Sequence, residues 1–306
     1  MDLHTVTCSF FNTENAITAE CDPLLLKQAV SLCEYYDNLL SKTAPGSDVW
    51  KINRSHGDPV EVSEHTAGIL KLALEMYDVS EGLFNVAIGS VTALWNFNSG
   101  SKYIPTLDAL DEALRIIDCR QIRLLGRSVY VPDRMQIDLG GIAKGYIADK
   151  IAESLSENGV KSALINLGGN IITIGHKPDG TPWKIGLQVP TTERKHRDKY
   201  WSVVECMNES VVTSGSYERG FHKDEQWYHH IIDPKTGMPS DNDVLSVTVC
   251  SSSSFLADAL TTPLFLLGER EGMHLADRYG VDAAFYLRDN SVVINAGMEK
   301  RLMSSP

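Results

Sequence analysis

The sequence has no GxGxxG and no GxxxxGK[ST], so neither a dinucleotide fingerprint nor a P-loop explains how it would hold a phosphate. It has no CxxC pair and no zinc-ligand spacing. Cys8, Cys21, Cys33, Cys119, Cys206 and Cys250 are scattered, mostly among apolar neighbours, and read as reduced core residues. No apolar run approaches the ~18–20 residues of a membrane span. The opening MDLHTVTCSFF lacks the basic-then-apolar pattern of a signal peptide, so the chain as it stands is expected in the cytoplasm. Positive charge is also scarce: 28 Lys and Arg against 40 Asp and Glu leave a net charge of −12. A diffuse field of that sign repels polyanions and argues against nucleic acid or an anionic membrane as partner. Any anionic ligand must then be held locally, by a cation, a helix N-terminus or a metal. Linkers rich in Pro, Gly and Ser are missing too, so residues 1–306 read as a single domain able to bury a sizeable core.

Helix signals come first. Asp22–Pro23, Ser63 and Thr106 are capping positions ahead of amphipathic stretches, and Gly82 closes the second of these. From residue 120 short strands take over: QIRLL, SVYVP, MQIDL, SALINLGG, NIITIGH, WKIGLQV, WSVVECM, SVVTS, WYHHIID, VLSVTVC, AAFYL and SVVINA. Helices are expected at about 141–158 and at SSFLADALTTPLFLLG, stopped by Gly268, with a shorter one at EGMHLADRYG. Strands and helices mix without a strict βαβ repeat. The expected class is α+β (mixed α/β), with a mixed, partly antiparallel sheet flanked by helices.

Four segments can carry chemistry. In MQIDLGGIAKGY an acid, Asp138, precedes Gly140 and Gly141 at a helix start. The bare backbone and helix dipole suit a phosphate or metal, Lys144 lies one turn in, and an ordinary tight turn is the alternative. In VVTSGSYERGF, Thr213 and Ser214 offer hydroxyls at the end of a strand, or simply make a turn. In WYHHIIDPKTGMP, His229 and His230 must face opposite sides of a strand, so at most one serves a given site; either a general base or a structural histidine fits. In FLADALTTPLFLLG, Asp258 and Thr262 share one face of an apolar helix. A buried acid there needs a partner, and an acid with a hydroxyl offers the hard oxygens that Mg²⁺ accepts.

Taken together and in order, DLGGIAKGY (138–146), LINLGGN (164–170), TSGSYERGF (213–221), HIIDPKTG (230–237) and ADALTTPLFLLG (257–268) resemble the ApbE family of FAD:protein FMN transferases. PGSDVWKIN, PVEVSEHT and GLFNVAIGSVTALWNF look similar upstream, and the likeness spans roughly residues 37–298. The resemblance implies an enzyme that uses FAD as substrate and Mg²⁺ as cofactor. It transfers FMN through a phosphoester bond to a Ser or Thr of a target flavoprotein and releases AMP. By position it implies metal ligation by the Gly141 carbonyl, Asp258 and Thr262. It implies FAD contacts at Leu94, Trp95, Asn96, Asp138, Lys144, Ser214, His230 and Ile232. His230 is its candidate base, with Asp258 acting through a water as the alternative. Trp95 reads two ways, as a flat ring for the flavin to stack on or as plain core. The family's N-terminal MGT element has its nearest match in Phe11–Asn12–Thr13. Two rival functions keep the same residues: an FAD pyrophosphatase that uses water as acceptor, and a non-catalytic FAD carrier.

Overall fold

The computed structural model describes residues 2–95, 97, 102–192 and 199–303. The chain opens on a hairpin, not on a helix. Leu3–Phe10 and Thr13–Glu20 pair antiparallel, with Leu3 opposite Glu20 and Phe10 opposite Thr13. The outer face carries Leu3, Thr5, Thr7 and Ser9 on the first strand and Glu14, Ala16, Thr18 and Glu20 on the second, so the alternation is faint in the sequence. The turn residues Phe11 and Asn12 have φ of 58° and 55°, the left-handed pair that a two-residue hairpin turn requires. Phenylalanine gives no turn signal there. Its backbone N–H is held by Asp37 Oδ1 at 3.0 Å.

Two compact units form, and the chain crosses between them at 37/38, 141/142, 214/215 and 243/244. The first holds an eight-stranded sheet in the order Leu3–Phe10, Thr13–Glu20, Ala163–Leu167, Asn170–Ile174, Ser210–Gly215, Val244–Ser251, Asp282–Leu287, Val292–Ile294. The first four strands are antiparallel, two hairpins placed side by side, and the last three pair antiparallel as well. Its two faces are told apart by neighbouring residues of one strand. Phe285 meets Gly272 of the helical segment Ser254–Tyr279. Ala284 points the other way, into a core with Trp183, Ile185, Leu187, Val204 and Met298. That second core lies under the small sheet of Leu302–Met303, Tyr200–Cys206 and Trp183–Gln188. The α+β class and helix-flanked, largely antiparallel sheet agree with the sequence reading.

The second unit contains the helices Asp48–Ile52, Glu64–Val79, Gly89–Trp95 and Leu107–Leu114. It also contains the three-stranded sheet of Val60–Glu61, Ser128–Tyr130 and Arg123–Leu125, and the hairpin of Gly220–Lys223 with Gln226–His229. Ser63 and Thr106 cap as expected, accepting from the Thr66 and Ala109 N–H groups at 3.1 and 3.3 Å. The stretch MQIDL is a correction: it is not a strand, and only Gln136 forms an isolated parallel bridge, with Ile88. Asn53 replaces the missing strand partner. Its Oδ1 accepts from Ile137 N–H at 2.7 Å and its Nδ2 donates to the Ile137 carbonyl at 3.0 Å. One amide side chain thus satisfies both backbone groups.

Candidate functional site

In the second unit, the extended stretch ends on Asp138, and three donors converge on its carboxylate. Lys42 Nζ lies 2.6 Å from Oδ2, Thr92 Oγ1 3.4 Å from Oδ2, and the Gly140 N–H 2.9 Å from Oδ1. Burial works to raise the Asp138 pKa, but the Lys42 ammonium and these donors outweigh it and hold the group below its usual range. The Gly140 contact explains part of the glycine pair: the turn folds back on the acid that precedes it. Gly141 follows, exposed.

The strand Gln226–His229 ends short of the expected WYHHIID, so His229 is its last residue and His230 lies just beyond it. His229 is 5% exposed; its Nδ1 accepts from Ile231 N–H at 3.3 Å, so its Nε2 is the protonated nitrogen that meets the Ser240 carbonyl at 3.0 Å. It is a structural histidine. His230 is half-buried, with Nδ1 3.2 Å from the Arg219 carbonyl. A carbonyl can only accept, so Nδ1 carries a proton.

Trp95 is 0% exposed, donates its indole N–H to the Gly237 carbonyl at 2.8 Å, and packs against Phe97 and Tyr228. With no exposed surface, the ring packs as core in this structure. Leu94, beside it, is half-buried, while Ile232 is 6% exposed and bridged to Pro239. Asn96 lies outside the described residues.

In the first unit, the helix Ala143–Glu157 starts without a side-chain cap of its own at Ile142. Its orphan Gly145 N–H is taken by Asp258 Oδ2 at 2.8 Å. Asp258 is 3% exposed, and among the described residues this N–H is its side chain's only partner. A buried carboxylate with one neutral donor and no counter-cation fits a hard divalent cation. Thr262, one turn later, is half-buried, and its hydroxyl makes no hydrogen bond among the described residues. Its neighbour Thr261 is fully engaged, accepting from Ser214 Oγ at 2.9 Å and donating to the Asp258 carbonyl at 3.0 Å. Ser214 thus braces the turn that carries Asp258. Lys144 is half-buried and has no acidic partner among the described residues.

The third glycine of GGIAKGY makes this contact possible. A Cβ on Gly145 would stand 2.2 Å from the Ser254 carbonyl oxygen and 2.6 Å from Asp258 Cβ. Gly145→Ala should therefore cost about 1–3 kcal/mol in overpacking, against the ~1 kcal/mol that alanine contributes to an unhindered helix, and lower the urea midpoint accordingly. An unfolding titration reads this directly; a raised midpoint would mean that the helices separate freely here.

Lys42, Gly145 and the Arg219 carbonyl were not found by sequence reasoning. Lys42 and Asp138 are 96 residues apart, and nothing local marks the pair. All six cysteines are free; burial pushes the thiols of Cys33 and Cys206 up to about 12, which makes them inert packing groups. Among the described residues no cluster of three or more His, Cys, Asp or Glu side chains is arranged for a metal, and no helix is long and apolar enough to cross a membrane.

The ApbE family model matches residues 5–285, and the chain belongs to the ApbE family. A protein of Treponema pallidum named FAD:protein FMN transferase is 38% identical over 295 residues, covering 90% of this chain and 81% of that protein. One of Klebsiella pneumoniae with the same name is 36% identical over 292 residues, covering 93% and 88%. The crystal structure of an ApbE protein from Thermotoga maritima superposes with a TM-score of 0.91 at 27% identity, covering 99% of this chain and all of that one.

Proposed function

We propose that this chain is a Mg²⁺-dependent FAD:protein FMN transferase. It moves FMN from FAD to a Ser or Thr hydroxyl of a target flavoprotein and releases AMP. What supports the activity is family membership across residues 5–285, together with relatives of 38% and 36% identity that carry this name. What supports a cation is Asp258, buried with no positive partner among the described residues. Asp258, Thr262 and the Gly141 carbonyl would hold it. A bound Mg²⁺ would neutralise charge developing on the pyrophosphate. We read all of residues 1–306 as one transferase domain.

The chain's own groups then have definable tasks. Lys144 and the N-terminal N–H groups of its helix attract the anionic pyrophosphate within an acidic protein. Asp138, kept ionised by Lys42, offers an acceptor to the donor groups of FAD, and Leu94, Ser214 and Ile232 belong to segments that line the substrate. His230, in its neutral form, accepts the proton of the target hydroxyl. The hydroxyl oxygen bonds to the phosphorus nearer riboflavin, the pyrophosphate P–O bond breaks, and AMP leaves with that oxygen. AMP measured with FAD and Mg²⁺ should appear only when an acceptor protein is added. Rapid AMP release without an acceptor would identify a hydrolase instead.

A further inference from the structure

We infer that Asp149 is a positioning residue for the first turn of the helical segment Ser254–Tyr279, and thereby sets the affinity of Asp258 and Thr262 for a divalent cation; this rests on the metal site proposed above. Asp149 lies in the helix Ala143–Glu157 and reaches across to the start of the other helix. Its Oδ1 accepts from Ser254 N–H at 2.8 Å, and its Oδ2 accepts from Phe255 N–H and the Ser253 hydroxyl, both at 3.0 Å. Ser254 and Phe255 are the first two residues of that helix, whose N–H groups have no intrahelical acceptor. Ser253 Oγ in turn accepts from Leu256 N–H at 3.2 Å. The first turn is thus satisfied by one carboxylate and one hydroxyl.

Asp258 comes at the end of that turn and acts in the opposite direction, capping the helix to which Asp149 belongs through Gly145 N–H. The two helices cap each other. Reciprocal contacts of this kind fix both the rotation and the axial register of one helix against the other, and Gly145 sets how closely they approach. Without Asp149 the first turn has two unsatisfied N–H groups and is free to fray. Asp258 would then lose the fixed orientation that a cation needs, as happens when groups that orient metal ligands are removed elsewhere.

The test uses the full chain with FAD present, and reads Mn²⁺ binding by the EPR signal of the free ion beside transfer at saturating metal. Asp149→Ala should weaken Mn²⁺ binding by about 10–100-fold, with the rate at saturating metal near that of the native chain. Asp149→Asn keeps one acceptor oxygen, so it should fall between the two and serves if the alanine variant does not fold. Native Mn²⁺ affinity in a folded Asp149 variant, whatever its melting temperature, overturns the inference. Absence of Mn²⁺ binding by the native chain would instead remove the metal site itself, and this inference with it.

Discussion

Asp258→Asn should reduce FMN transfer by about 10²–10³-fold at limiting Mg²⁺, because a metal that neutralises transition-state charge is worth several kcal/mol. Excess Mg²⁺ should restore only part of the rate, since an amide oxygen is a poor ligand for a hard cation. The fold should survive. Two effects on metal-free stability oppose each other: an amide is cheaper to bury than a carboxylate, but it loses the charge that caps the helix at Gly145. Each is about 1–2 kcal/mol, so the melting temperature without metal should stay near native. The rise in melting temperature on adding Mg²⁺ with FAD should vanish with activity. Normal transfer by Asp258→Asn at limiting Mg²⁺ would place the metal elsewhere.

His230→Ala should bind FAD yet transfer FMN about 10²–10⁴-fold more slowly, the usual cost of removing a general base. His229→Ala gives the contrast. It removes a buried ring that bonds Ile231 N–H and the Ser240 carbonyl, so it should lower stability by about 2–4 kcal/mol and leave the rate per folded molecule near native. Rates and unfolding curves for both variants separate the roles. An inverted pattern, with His229→Ala slow and stable, would assign the base to the other face.

Much of this could be read in the sequence because it is local. Capping residues Ser63 and Thr106 act three residues ahead on their own helices. Gly268 interrupts the last long helix with φ of 81° and ψ of 175°, as its place in LLGER suggests. What escaped is what depends on distant partners. Asn53 standing in for a strand, Lys42 on Asp138, and Asp149 on the start of a helix more than 100 residues later leave no local trace. The N-terminal hairpin escaped for another reason: Phe11–Asn12 takes a left-handed turn without glycine, held by an aspartate on a following helix. The Trp95 indole N–H, bonded to the Gly237 carbonyl 142 residues on, is a further case of a distant partner.

Intact-mass spectrometry of an acceptor flavoprotein, incubated with the native chain, FAD and Mg²⁺, tests the central claim most directly. The account predicts an acceptor heavier by one FMN less one water, with the adduct on a Ser or Thr and one AMP released per adduct. An acceptor of unchanged mass while FAD is converted to free FMN and AMP would contradict it.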